Sequence, residues 1–140
     1  MSIFHFFYPI EVRYGDLDPQ GHVNNAKYLT YLEQARIAYF KNLGLWKRVS
    51  FLELGIILAD VHITYKVPIK FGQDIRVGVK FTKLGNKSMH VSQRIKNANN
   101  DQEFASAEVV LVAFDYHIEQ TVVIPDRWRK TISEFEKDLK

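Results

Sequence analysis

The chain has 140 residues, a formal charge of +3 and no cysteine. That length suits one domain with a core large enough to need no staples, and the missing thiols exclude disulfides, thiolate metal centres and a cysteine nucleophile. Hydrophobic residues at 46% and charged residues at 25% are ordinary for a globular protein. No apolar run approaches a membrane span, and the opening MSIFHFFYPIEVRY lacks the flanks of a signal peptide, so a single cytoplasmic domain over residues 1–140 is expected.

Residues 4–14 alternate, with Phe4, Phe6, Tyr8, Ile10 and Val12 on one side. This is a period-two strand, and Pro9 puts part of it at a sheet edge. Residues 15–25 are rich in Gly, Pro, Asp and Asn and form a loop. The next stretch, AKYLTYLEQARIAYFKNLG, predicts a helix of about five turns. Leu29, Leu32, Arg36, Phe40 and Leu43 mark its apolar stripe, with Ala35 and Tyr39 widening it. Asn24 or Asn25 can cap its start and Gly44 its end.

Beyond the helix the period becomes two. Strands are expected over 57–66, 74–84, 88–97 and 103–117, with turns at Pro68 to Gly72, Gly85-Asn86 and Asn99-Asn100-Asp101. Ile75, Val77, Val79 and Phe81 oppose Arg76, Lys80 and Thr82; Met89, Val91, Gln93 and Ile95 oppose His90, Ser92, Arg94 and Lys96. Pro125 opens a short amphipathic helix with Trp128, Ile132, Phe135 and Leu139 on one face. Hairpin-linked strands make an antiparallel sheet, and one long striped helix must pack on one face of it, an α+β layer architecture. The remaining face and edge need cover, which predicts a homo-oligomer, a dimer or a homotetramer, with active sites shared across the interface.

Charge is uneven. Residues 66–96 hold eight basic groups against Asp74 alone, while residues 1–65 balance at six and six. The stretch could meet phosphates, through Lys66, Lys70, Lys80, Lys83 and Arg94, or could be a solvated strand face. Phe81 is the lone aromatic in 75–96, so the interleaving of an RNA-binding sheet is missing and no nucleic-acid partner is expected.

Chemistry concentrates in VRYGDLDPQGHVNNAKYLTYLEQAR, residues 12–36. Asp16, Asp18, His22, Asn24 and Asn25 stand just before a helix N-terminus. Hydrolysis of an activated acyl group needs a carboxylate that attacks the carbonyl or activates water. It also needs fixed N–H donors for the oxygen that becomes negative, which an N-terminal helix turn supplies. An Asx-rich cap accounts for the same residues more plainly. A calcium loop does not, because Gln20 and Lys27 stand where its ligands belong. His5, His62, His90 and His117 lack metal-ligand spacing. Glu33 is a second candidate carboxylate, and an ion pair with Arg36 three residues on is the blander account. Serine-hydrolase elbows and nucleotide-binding glycine motifs are absent from the sequence.

The string D-x-D-P-x-G, followed by an apolar residue and N-x-x-Y, resembles the active-site signature of the 4-hydroxybenzoyl-CoA thioesterase family. Asp18-Pro19, Gly21, Val23, Asn25 and Tyr28 occupy its places. The resemblance implies a hotdog fold, one long central helix wrapped by a curved antiparallel sheet plus a short C-terminal helix. It implies acyl-CoA thioester hydrolysis with Asp18 as the catalytic carboxylate, assisted by His22 and Asn25. Val23 and Asn24 would offer N–H donors to the oxyanion, Tyr28 would line the acyl slot, and the basic stretch would hold the coenzyme A phosphates. No metal or other cofactor is implied. GHVNN is also similar to the acyl-carrier-protein thioesterase branch, and a non-catalytic acyl-CoA or nucleic-acid binding module is the remaining alternative. Aromatic-substrate members carry tyrosine where this chain has Asn25, which argues against a 4-hydroxybenzoyl specificity here.

Overall fold

The computed structural model describes residues 3–47 and 50–139. Strand β1 (Phe7–Glu11) leads through the loop to helix α1 (Asn25–Asn42). Four long strands follow: β2 (Ile56–Tyr65), β3 (Asp74–Leu84), β4 (Ser88–Asn97) and β5 (Glu103–Asp115). A two-residue strand β6 (Gln120–Thr121) and helix α2 (Asp126–Phe135) complete the order. The sheet is antiparallel in the order β1-β3-β4-β5-β2, with β6 beside β5. One helix wrapped by this sheet, with a short helix at the end, is the hotdog architecture.

Asn24 caps α1, its side chain accepting from the Ala26 N–H at 2.9 Å, and Gly44, at φ +73, turns the chain away after it. The buried face of α1 is Tyr28, Tyr31, Leu32, Ala35, Arg36, Tyr39 and Phe40. The stripe expected from the sequence is therefore rotated: Leu29 points outward and is 42% exposed, because Tyr28 and Tyr31 take the inward positions. Helix α1 packs over β1 and β3. There Tyr39 stacks on Phe81 at 4.7 Å, Phe40 meets Phe81 edge-on at 5.6 Å, and Phe6 meets Tyr39 edge-on at 5.6 Å. The fully buried rings of Phe40 and Phe81 each stabilise the fold by about 1.5–3 kcal/mol. Phe4 leaves the expected alternation and lies with Phe7 over Gly78, where a Cβ would come within 2.9 Å of either ring.

Both outer strands behave as edges. Pro9 lies on β1 opposite Arg76, where its missing N–H costs no second ladder. At the other edge, β2 pairs with β5 alone, and a bulge falls between Leu58 and Asp60. The extra residue lets Ile56, Leu58, Val61, Ile63 and Tyr65 all share the inner face, opposite the buried Ala113, Leu111, Val109, Ala107 and Ala105. Even so, Leu58 and Tyr65 are each 45% exposed, since α1 lies toward the far side of the sheet.

Candidate active site

Tight local bonding shapes the loop between β1 and α1. The Asp18 N–H donates to the His22 carbonyl at 2.8 Å, and the Gly21 N–H returns to the Asp18 carbonyl at 3.0 Å. Pro19 fixes the second position of this turn, and Gly21 adopts φ +82, which favours glycine. The turn is anchored from outside: Leu17 bridges Val23, His22 bridges Lys70, and the Val23 N–H donates to the Ile69 carbonyl at 2.8 Å. This loop is thus tied to the β2–β3 connection.

The two loop carboxylates have opposite environments. Asp16 is buried, and its Oδ2 accepts from the Tyr31 hydroxyl at 2.7 Å and the Arg13 N–H at 3.1 Å. Burial would raise its pKa, but these bonds and the charges of Arg13 and Lys27 outweigh it and hold the carboxyl below its usual range. Burial and the bond to Asp16 push the Tyr31 phenol up. Asp18 is half-buried. Its Oδ1 accepts from the Gln20 N–H at 2.9 Å and the His22 N–H at 3.2 Å, while Oδ2 makes no hydrogen bond among the described residues. One oxygen is clamped, and the other is available to a reacting group.

Asp18, His22, Val23, Asn25 and Tyr28 line one open cleft of about 400 Å³, together with Tyr65 and Lys66. Tyr28 is buried and meets the Tyr65 ring edge-on at 4.9 Å; burial raises its phenol pKa. The Tyr65 hydroxyl donates to the Asn25 carbonyl at 3.3 Å. Tyr65 is a site residue that the loop motif does not reveal, although its place at the end of an apolar strand face is a usable signal.

The two N–H groups expected as oxyanion donors already have backbone acceptors. The Val23 N–H is bonded to Ile69 and the Asn24 N–H to the Asp16 carbonyl at 2.8 Å, while the Asn24 side chain caps the helix. In the first helical turn the Ala26 and Lys27 N–H groups bond to Asn24. The Asn25 N–H, beside the cleft, is left without an acceptor among the described residues.

Nor do the five basic residues form one patch. Lys66 borders the cleft and pairs with Glu103, and Lys70 is exposed beside His22. Lys80 is only 4% exposed, bonded to Asp138 at 2.7 Å and to the Ile3 carbonyl at 3.1 Å, which removes it from any phosphate site. Lys83 stands at the far end of β3, and Arg94 is held 3.5 Å from both Glu103 and Glu108. The expected Glu33–Arg36 ion pair is also absent among the described residues: Glu33 is exposed, and Arg36 Nη1 donates to Gln93 Oε1 at 3.0 Å. Among those residues no group of three or more His, Asp or Glu side chains is placed to hold a metal ion.

The architecture is that of the hotdog thioesterases, and one cleft in it is lined by both the half-clamped Asp18 and Asn25 at the start of α1. Residues 12–132 match the model of the thioesterase-like superfamily, and the chain belongs to that superfamily. It is 26% identical to the long-chain acyl-CoA thioesterase FadM of Escherichia coli strain K12, over 91% of this chain and 97% of that one. Identity is also 26% with the acyl-CoA thioester hydrolase YbgC of E. coli O6:H1, over 79% and 82% of the two chains. A thioesterase from Thermus thermophilus, crystallised with coenzyme A and zinc, superposes with a TM-score of 0.85 at 31% identity, covering 98% of each chain.

Proposed function

We propose that this thioesterase hydrolyses acyl-CoA with Asp18 as its catalytic carboxylate and the Asn25 N–H as its oxyanion donor. The observation that carries this is the pairing within one cleft of a carboxylate with one free oxygen and a helix N-terminal N–H with no acceptor among the described residues. The thioester carbonyl lies over the start of α1, its oxygen taking the Asn25 N–H as negative charge develops. Asp18 Oδ2 removes a proton from water, the water oxygen bonds to the carbonyl carbon, and the carbon–sulfur bond breaks. The proton passes to the departing sulfur, giving a carboxylic acid and free coenzyme A. Direct attack by Asp18 would give the same products through an anhydride that water then opens. His22 and the Asn25 side chain orient the water.

Lys66, which lines the cleft, and the exposed Lys70, whose backbone bridges the cleft residue His22, are suited to the coenzyme A phosphates, which are too charged to bury. Among the described residues no helix is long and apolar enough to cross a membrane. A cytoplasmic setting fits a cysteine-free chain acting on coenzyme A esters. The open ladder of β2 and its half-covered inner face favour a homo-oligomer in which two β2 strands pair antiparallel about a two-fold axis. Such pairing sets the Tyr65 end of one copy beside the Ile56 end of the other.

Two measurements test this. Release of free thiol from short, long and aromatic acyl-CoAs, beside matched acyl-carrier-protein thioesters, is expected to show turnover on at least one coenzyme A ester. Binding without hydrolysis would overturn the reading. Light scattering is expected to report a dimer or tetramer, and a fully active monomer at micromolar concentration would overturn the assembly.

A further inference from the structure

Two stretches of chain line the cleft. The loop and the first turn of α1 supply Asp18 and Asn25, and residues 65–68, where β2 ends, supply the rest of the rim. Helix α1 packs over β1 and β3 and stands off from β2. Among the described residues one hydrogen bond crosses from β2 to α1: the Tyr65 hydroxyl donates to the Asn25 carbonyl at 3.3 Å. The Tyr65 ring also meets the Tyr28 ring edge-on at 4.9 Å. Tyr28 follows Asn25 by three residues and so stands on the same side of the helix. One side chain thus grips the opening turn of α1 at two points.

Local bonds order that turn only within itself and against its own loop. The Lys27 N–H donates to the Asn24 carbonyl at 2.9 Å, the Ala26 N–H to the Asn24 side chain at 2.9 Å, and the Asn24 N–H to the Asp16 carbonyl at 2.8 Å. None of these reaches β2. The Asn25 N–H has no acceptor among the described residues, so no bond of its own fixes where it points. Peptide planarity passes that task to the neighbouring units, and the Asn25 carbonyl held by Tyr65 belongs to the next one. Asp18 is clamped separately, by the Gln20 and His22 N–H groups at 2.9 and 3.2 Å. The Tyr65 bond therefore bears on the N–H donor and not on the carboxylate.

We propose that Tyr65 is a positioning residue for thioester hydrolysis, its hydroxyl fixing the first turn of α1 against the end of β2 so that the Asn25 N–H faces the reacting carbonyl. The inference rests on the Asn25 N–H being the oxyanion donor. A single hydrogen bond from a residue that is 45% exposed adds little to the fold, so its loss shows in the chemical step, where small displacements of a donor are costly.

The test is Tyr65→Phe, which keeps the ring on Tyr28 and removes the hydroxyl. On an acyl-CoA that the wild-type protein cleaves, kcat is expected to fall about 10-fold while KM stays within about two-fold. Melting temperature and assembly are expected to hold. Tyr65→Leu, which removes the ring as well, is expected to lower kcat by about 100-fold. In the free protein the Asn25 carbonyl carbon resonance is expected to move in Tyr65→Phe, while those of α1 beyond Leu32 stay in place. Wild-type kcat in Tyr65→Phe, a loss carried by KM instead, or a kcat loss that comes with a lowered melting temperature or dissociation overturns the proposal. If the wild-type protein cleaves no acyl thioester, the thioesterase reading fails instead. The carbon resonance then judges the Tyr65 hold alone, and an unmoved Asn25 carbonyl overturns it.

Discussion

The two flanks of α1 are built to different ends. Over β1 and β3 the helix is sealed by Phe6, Tyr39, Phe40 and Phe81, and the Tyr39 hydroxyl donates to Glu136 at 2.7 Å, drawing the chain beyond α2 into the same cluster. Along β2 the helix stands off, and the inner side chains of that strand stay half-covered. The loop before α1 repeats the contrast at smaller scale, with Asp16 buried in structural bonds and Asp18 opening to a cleft. The bulk of the packing and the proposed chemistry thus lie on opposite sides of one helix, so mutations should separate them.

The largest effect should come from the sealed side. Phe81→Ala removes a fully buried ring and is expected to cost about 3–5 kcal/mol in urea unfolding. A loss below about 1 kcal/mol would contradict the view that this flank carries the fold. Next comes Asp18→Asn, which keeps the volume and loses the charge. It is expected to lower kcat by about two orders of magnitude or more while the melting temperature holds. Near-normal kcat would remove Asp18 from the mechanism, and abolished turnover in Glu33→Gln with Asp18→Asn tolerated would move the catalyst to the helix.

Asp16→Asn should act the other way, on stability. The folded Asp16 carboxyl titrates below its unfolded value, so its contribution is present above the ordinary carboxylate range and fades as pH falls through the depressed pKa. The variant is expected to lose about 1–3 kcal/mol near neutral pH and to show a shallower stability decline in acid. An unchanged acid limb would mean that the Tyr31 and Arg13 bonds do not set it. The smallest effect is expected from Lys70→Ala, a several-fold rise in KM for acyl-CoA that shrinks at high salt, with Lys83→Ala near wild type. Equal responses from the two lysines would remove Lys70 from the phosphate site.

Much of this is legible in the amino-acid sequence. The alternation in β3 and β4 assigns inner and outer faces correctly, including the inward Gln93. The Asx-rich run locates the cleft. What escapes depends on partners distant in sequence. That the Val23 N–H is already bonded follows from Ile69, which no local pattern brings near. Lys80 reads as a solvent-facing strand lysine until Asp138 and the Ile3 carbonyl close over it. Glu33 is the natural partner for Arg36 by spacing, whereas Gln93, its actual acceptor, comes from β4. The apolar face of β2 is hidden by the bulge, which breaks a strict two-residue count.

That bulge has a consequence for how the chain tolerates change in length. Leu58 opposes Leu111 and Asp60 opposes Val110, the next residue along β5, so Ala59 stands between two consecutive ladder pairs as the extra residue. Removing Ala59 would join Leu58 to Asp60 in strict alternation and leave Ile56, Leu58, Val61, Ile63 and Tyr65 on the inner face. Removing a ladder-paired residue such as His62 would instead turn Ile63 and Tyr65 outward and bring Thr64 in. The strand should therefore accept the loss of Ala59 far more readily than the loss of any of its paired neighbours.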